Sequence, residues 1–256
     1  MHASPDLSIV IPAYNEADRI GPNLEHLRGW LAAWDGSGEV VVVDDGSTDG
    51  TAEVAERICG GPGFRLLRNQ GNQGKGYSIK HGVLLARGSF VLLSDADFST
   101  PVEELPRLLE PVASGRCDIA IGSRGLKTSR IERRQPAWRE GMGRCFNRLV
   151  RLLTGLPYSD TQCGFKVMRR DVVLPVFRAA RVTRFAYDVE ILYLAAKAGL
   201  AVEEIPVIWR NDPASKVDPV FDAITMLKDI VRIRLRDYRG RYGELRRRFP
   251  MDEGRS

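Results

Sequence analysis

The chain has 256 residues, 43% hydrophobic and 28% charged, which suits a protein with a full buried core and excludes a disordered or fibrous one. No apolar run reaches the roughly 18 residues a spanning helix needs, and the first apolar run opens at Leu7 without a charged leader, so we expect no signal peptide and a cytoplasmic protein. The net charge of +5 is small but unevenly placed: nine Lys or Arg fall between Arg124 and Arg151 against only Glu132 and Glu140, and a second Arg-rich stretch runs from Arg232 to Arg248. Such clusters suit phosphates, anionic lipid or nucleic acid.

In chain order, LSIVIPAY (7–14) predicts a buried strand, and Ile20, Leu24, Leu27 and Leu31 predict a helix over 16–34. Further strands are predicted at 39–45, 64–69, 89–94 and 117–123, with helices at 50–58, 75–86 and 101–114 between them. This alternation implies βαβ crossovers, hence an α/β fold with a mainly parallel sheet and flanking helices. Beyond it, 136–154 reads as a basic amphipathic helix, 164–170 as a strand and 185–199 as a helix. A strand at 202–209 lies at an edge because of Pro206, and 219–236 is a last basic helix. We expect one domain over 1–236, divided into halves at 123/124, with helices extending the second half and a polar, mobile tail at 237–256. The four cysteines (Cys59, Cys117, Cys145, Cys163) form no CxxC pair, which argues for reduced thiols rather than zinc.

Three strand ends carry polar motifs: PAYNE (12–16), DDGSTDGT (44–51) and DAD (95–97). In a parallel sheet all three fall on the edge where ligands gather. Thr100-Pro101-Val102-Glu103 reads as a capping box that would stiffen the Asp95–Ser99 turn. Carboxylates two residues apart on a stiff turn can share a hard cation such as Mg²⁺ or Mn²⁺, although an isolated pair is more often a solvated turn. A buried Asp44 or Asp45 needs a donor, such as a base N–H or a ribose hydroxyl. NQGNQGKGYS (69–78) is not a P-loop, because Gly76 follows Lys75. Lys75 at a helix start is still placed to meet an anion.

Together these motifs, with IGSR, DTQCGF and FAYDVEILYLA following in order over roughly residues 7 to 210, resemble glycosyltransferase family 2, inverting enzymes of the GT-A fold. Within it the likeness is greatest to the enzymes that glucosylate dolichyl phosphate, through DTQCGFK, FAYDVEILY and Ser215-Lys216. The resemblance implies a base and ribose held by Pro12, Tyr14, Glu16 and Asp45, with Lys75 and Gly76 bordering the nucleotide. It implies Asp95 and Ala96 facing the sugar or ribose, and a metal on Asp97 with Asp95. Arg124 would meet a phosphate, and Asp160 and Asp188 would be the catalytic carboxylates. Arg130, Arg133, Arg134 and Lys216 would join Arg124 around the acceptor phosphate or its lipid. Relatives carrying Gln where this chain has Ser99 imply a metal shell with more water here.

The expected reaction is inverting transfer of a hexose, glucose from UDP-glucose, to a polyprenyl or dolichyl phosphate. It would use Mg²⁺ or Mn²⁺ and peripheral contact with an anionic membrane. The absence of the amino-terminal anchor that eukaryotic relatives carry argues against tight attachment. The alternatives are transfer to a hydroxyl of a glycan or other soluble acceptor, a basic nucleic-acid-binding module, which leaves the aspartates unexplained, and a nucleotidyltransferase, against which the first strand lacks a glycine-rich loop. No nucleic-acid partner is expected.

Overall fold

The computed structural model describes residues 5–133, 136–211, 219–243 and 245. The first half alternates as predicted: β1 (Leu7–Ala13), α1 (Ala17–Ala33), β2 (Gly38–Asp44), α2 (Thr51–Cys59), β3 (Phe64–Arg68), α3 (Lys75–Leu85) and β4 (Phe90–Leu93). Then come α4 (Leu105–Ala113), β5 (Ile119–Ser123), β6 (Arg130–Arg133), α5 (Ala137–Thr154), β7 (Lys166–Arg169) and α6 (Arg170–Ala179). α7 (Tyr187–Lys197), β8 (Val202–Pro206), β9 (Ile208–Arg210) and α8 (Pro219–Tyr238) complete the described elements.

One seven-stranded sheet runs β3-β2-β1-β4-β7-β5-β8. All its pairs are parallel except those of β7, which lies antiparallel between β4 and β5. The reversal sets the site: β7 begins at the edge where β4 ends, with Lys166 opposite Leu93. Val40 to Val43 are all fully buried, their side chains alternating between two core clusters, one under α3, α6 and α7, the other under α1 and α4. Burial on both faces is why these strands read as unbroken apolar runs.

Several expectations need correction. The predicted strand 202–209 is two strands. β8 is an edge strand, as Pro206 implies, but the chain then leaves the sheet, and β9 pairs in parallel with β6 as a separate ribbon. α6 was not predicted; it runs unbroken through Pro175, and Val173, Val176 and Phe177 bury one face at helical spacing. No capping box forms. The chain enters α4 through a single 3₁₀ turn at Val102–Glu104, the Thr100 hydroxyl sits 3.8 Å from the Cys163 thiol, and Glu103 pairs with His26 at 2.8 Å. The segment after Arg239 is not all a solvated tail, because Tyr242 and Leu245 are buried and the Tyr242 hydroxyl donates to Glu190 at 2.5 Å.

Candidate active site

The three polar motifs meet at the carboxyl edge of β1, β2 and β4, as the parallel register requires. Much of DDGSTDGT is scaffold. Thr51 and Asp49 accept the Glu16 and Ala17 N–H groups (2.7 and 3.2 Å), capping the start of α1 from another loop. Ser47 accepts the Asn15 N–H, while Asn15 accepts that of Thr48. Pro12 is buried in β1, Tyr14 projects outward, and Glu16 is half-buried and paired with Arg19.

Asp45 is buried, and its donors come from the chain itself: Asn69 Nδ2 at 2.7 Å, Gln73 N at 3.0 Å and Gly74 N at 2.8 Å. A carboxylate accepts about four hydrogen bonds, so one acceptor position remains for a ligand donor. This clamp folds the 69–74 loop over β2 and delivers Lys75 to the site. The following Gly76 is needed for packing, since a Cβ there would lie 2.6 Å from Tyr187 Cβ and 2.8 Å from the Val182 carbonyl.

Lys75 Nζ pairs with Asp95 Oδ1 at 2.6 Å. Burial disfavours this ammonium, but Asp95, Asp188 and Asp97 around it outweigh burial and raise its pKa. The two aspartates of the turn diverge. Burial would raise Asp95, but Lys75, Lys166 and Arg124 hold it below the usual carboxylate range. Asp97 is pushed up, first by burial and then by the Asp95 charge. The turn is held by the Ser99 N–H on Asp97 Oδ1 (2.9 Å), by Asn23 Nδ2 on the Ala96 carbonyl (2.8 Å), and by the Arg210 N–H on the Ser99 carbonyl (2.8 Å).

The antiparallel β7 brings DTQCGFK beneath this turn. Gly164 lies so close that a Cβ on it would be 2.3 Å from Asp95 Oδ2. Lys166 is fully buried and donates to the Cys163 carbonyl at 2.5 Å and to Asp188 Oδ1. Burial pushes Asp188 up, and Lys166 and Lys75 offset only part of that. Asp160 is buried and holds Arg124 in a fork, Nε at 2.6 Å and Nη2 at 2.9 Å, with the Arg124 and Gln162 N–H groups at 3.0 Å. Burial would raise Asp160, yet Arg124 and those N–H groups bring it down to about 2. The same guanidinium lies over the Trp209 ring at 5.5 Å.

The structure therefore brings together Asp45, Lys75, Asp95, Ala96, Asp97, Arg124, Asp160 and Asp188. Arg130 and Arg133 stand exposed on β6 instead, Arg130 facing Glu132 at 3.5 Å. Arg134 and Lys216 lie outside the described residues. Sequence reasoning missed Gly164, Lys166 and Trp209. A lysine inside a predicted strand was the available signal for Lys166, because lysine is almost never fully buried unless paired.

No cluster of three His, Cys, Asp or Glu exists among the described residues. The donors present are the half-buried carboxylates of Asp95 and Asp97, the latter raised first by burial and then by the Asp95 charge, which fits a hard cation completing its shell with phosphate and water.

A parallel sheet with one inserted antiparallel strand, and an acidic turn at its carboxyl edge, defines the GT-A class of α/β fold. The sequence profile described as "Glycosyl transferase family 2" matches residues 8–177. A dolichyl-phosphate beta-glucosyltransferase of Dictyostelium discoideum is 36% identical over 242 residues, spanning 90% of this chain and 74% of that protein. Among solved structures, mannosyl-3-phosphoglycerate synthase from Rubrobacter xylanophilus superposes with a TM-score of 0.69 at 22% identity, over 93% of this chain and 76% of that one. Glucosyl-3-phosphoglycerate synthase from Mycobacterium tuberculosis, in complex with Mn²⁺, UDP-glucose and glycerol 3-phosphate, does so at 0.64 and 20%, over 93% and 80%. The chain belongs to glycosyltransferase family 2.

Proposed function

We propose that this protein transfers glucose from UDP-glucose to the phosphate of a dolichyl or other polyprenyl phosphate, with inversion at the anomeric carbon. The observation that carries the reading is the convergence of the Asp95–Asp97 turn, Lys75 and the clamped Arg124 on one edge of the sheet. The name of the Dictyostelium relative supports the acceptor, and the UDP-glucose and Mn²⁺ of the mycobacterial neighbour support the donor and the metal.

Asp45, Tyr14, Pro12 and Glu16 line the nucleotide end. Asp97, assisted by Asp95, would hold Mg²⁺ or Mn²⁺, which supplies charge neutralisation on the leaving diphosphate. Arg124 is always charged, and Asp160 with Trp209 fixes its plane, so it presents a preorganised cation to phosphate. The acceptor phosphate oxygen bonds to the anomeric carbon as the bond to the diphosphate breaks, and that electron pair leaves with UDP. A phosphate monoester has its second pKa at about 6 and is already a dianion near neutral pH, so no side chain has to take a proton. Asp160, saturated with donors, and Asp188, paired with Lys166, are assigned to positioning.

The test incubates purified protein with UDP-glucose, Mn²⁺ and polyprenyl phosphate. The expected product is a lipid-linked glucose phosphodiester of inverted configuration, and Asp97→Ala should abolish the Mn²⁺ dependence of UDP binding by calorimetry. Transfer only to sugar hydroxyls would overturn the acceptor. Equal Mn²⁺-dependent affinity in the variant would overturn the metal site.

A further inference from the structure

Lys75 stands between two glycines that lean on the segment leading into α7. A Cβ on Gly74 would lie 2.4 Å from the Thr183 carbonyl oxygen, and one on Gly76 2.9 Å from that of Arg184. The Tyr77 N–H donates to the Thr183 carbonyl at 3.0 Å, and Lys80 Nζ, further along α3, donates to the Ala180 carbonyl at 2.7 Å. Residues 180–184 are therefore the seat on which Lys75 enters α3. They belong to no strand or helix, so other groups must hold them. Glu190, fully buried on α7, does so: its Oε2 accepts the Arg181 N–H at 2.8 Å and the Val182 N–H at 2.7 Å. Its Oε1 accepts the Tyr242 hydroxyl at 2.5 Å, while Arg236 Nη1 stands 3.8 Å away, too far for a hydrogen bond. Burial and then the Glu190 charge raise the Tyr242 pKa, so the phenol stays a donor.

We propose that Glu190 and Tyr242 are positioning residues for Lys75, so that the chain beyond α8 sets the Lys75–Asp95 pair from behind. The hydroxyl fixes Glu190, and Glu190 fixes the 181–182 amides. Those amides hold the carbonyls against which Gly74 and Gly76 place Lys75, and from that seat its ammonium reaches Asp95 at 2.6 Å. A buried carboxylate oxygen that loses its donor is costly, so removing the hydroxyl should let Glu190 shift and the seat with it. Tyr193 provides the contrast. Its hydroxyl donates to Asp237 at 2.6 Å and accepts from Arg234 at 2.8 Å. That link joins the same two helices, α7 and α8, but does not run through Glu190. The effect on nucleotide binding rests on the proposed function, in which Lys75 borders the nucleotide; the coupling of Tyr242 to the seat does not.

The test compares Tyr242→Phe with Tyr193→Phe in the whole protein, by amide hydrogen exchange and by calorimetry with UDP in the absence of metal. Relative to the amides of β1, those of Tyr77, Arg181 and Val182 should exchange about tenfold faster in Tyr242→Phe, the loss of one hydrogen bond to a charged group. In Tyr193→Phe they should keep their wild-type rates. UDP affinity should fall by up to about tenfold in Tyr242→Phe and stay unchanged in Tyr193→Phe, even where the two melt at the same temperature. A merely structural role would lower Tm in both and move affinity in neither. Lys75→Met should absorb the effect, so that adding Tyr242→Phe to it brings no further loss of affinity. Losses that add in full would overturn the proposal, as would unchanged relative exchange at Tyr77, Arg181 and Val182 in Tyr242→Phe. Wild type that binds no UDP would overturn the proposed donor instead, and the exchange rates would still decide the coupling.

Discussion

Gly164 offers the sharpest test of the site, because one methyl group there reports on the placement of Asp95. A Cβ at 164 would stand 2.3 Å from Asp95 Oδ2, 2.5 Å from Cγ and 2.6 Å from Oδ1. An ordinary carbon–oxygen approach is about 3.3 Å, so the carboxylate or the β7 entry must yield by about 1 Å. The carboxylate is not free to yield, since Lys75 holds Oδ1 at 2.6 Å. Displacement of about 1 Å in a positioned group costs roughly a hundredfold in rate. Overpacking costs about 1–3 kcal/mol, or a few degrees of Tm in a chain of this size. Gly164→Ala should therefore lower kcat about a hundredfold and Tm by several degrees. Gly143→Ala is the control, because nothing lies within 4 Å of a Cβ there, and it sits inside α5, where alanine stabilises by up to about 1 kcal/mol. The measurements are initial rates under saturating donor and calorimetric melts. A wild-type rate with an unchanged Tm in Gly164→Ala would refute the contact between β7 and the acidic turn.

Lys166→Met should destabilise by about 3–5 kcal/mol, because Asp188 stays buried without its cation. Asp188 is already raised by burial, so losing Lys166 raises it further and the acid limb of the pH–rate profile should move to higher pH; adding Asp188→Asn should recover most of the stability. Asp160 titrates at about 2 against an ordinary 3.8. Its contribution, on the order of 2 kcal/mol, is therefore present above about pH 4 and lost as pH falls through 2. Urea melts of wild type should show that acid slope, and Asp160→Asn should flatten it. Trp209→Leu removes the ring beneath Arg124, a contact worth about 0.5–2 kcal/mol, and should raise KM several-fold while leaving the fold intact by circular dichroism.

Where the sequence was legible, local chemistry agreed with tertiary context. The valine run of β2 could only be a strand buried on both faces, and polar motifs after three parallel strands could only share an edge. The resemblance then assigned roles that composition and spacing could not. What stayed hidden depends on relations between distant segments. GFKVMRR reads as a strand, but nothing local says that it enters antiparallel between β4 and β5. That reversal alone places Gly164 under Asp95 and Lys166 against Asp188. β6 was missed because RIER has three charges in four residues and pairs only with the short β9. The Thr100 box failed for a similar reason: the side chains that would have capped α4 found partners elsewhere, Cys163 for Thr100 and His26 for Glu103.

The charges of the site divide into two kinds of work, and the division follows from who already has a partner. Asp160 and Asp188 are each matched by a cation, Arg124 and Lys166, in places where an unmatched charge would be costly. Asp95 takes Lys75. Asp97, unlike its neighbour Asp95, has no ion-pair partner among the described residues, and its hydrogen bonds come from the Ser99 N–H and the Ser99 side chain. It is also the member of the turn whose pKa rises, so it is the carboxylate that gains most from a cation arriving with the substrate. If Lys75 were removed, Asp95 would lose the charge that holds it low, and the turn would need external positive charge at both carboxylates. Lys75→Met should therefore weaken UDP binding without metal more than UDP binding with saturating Mn²⁺, and calorimetry at both conditions measures the difference. Equal loss in the two conditions would mean that the ammonium meets the diphosphate directly rather than ordering the aspartates.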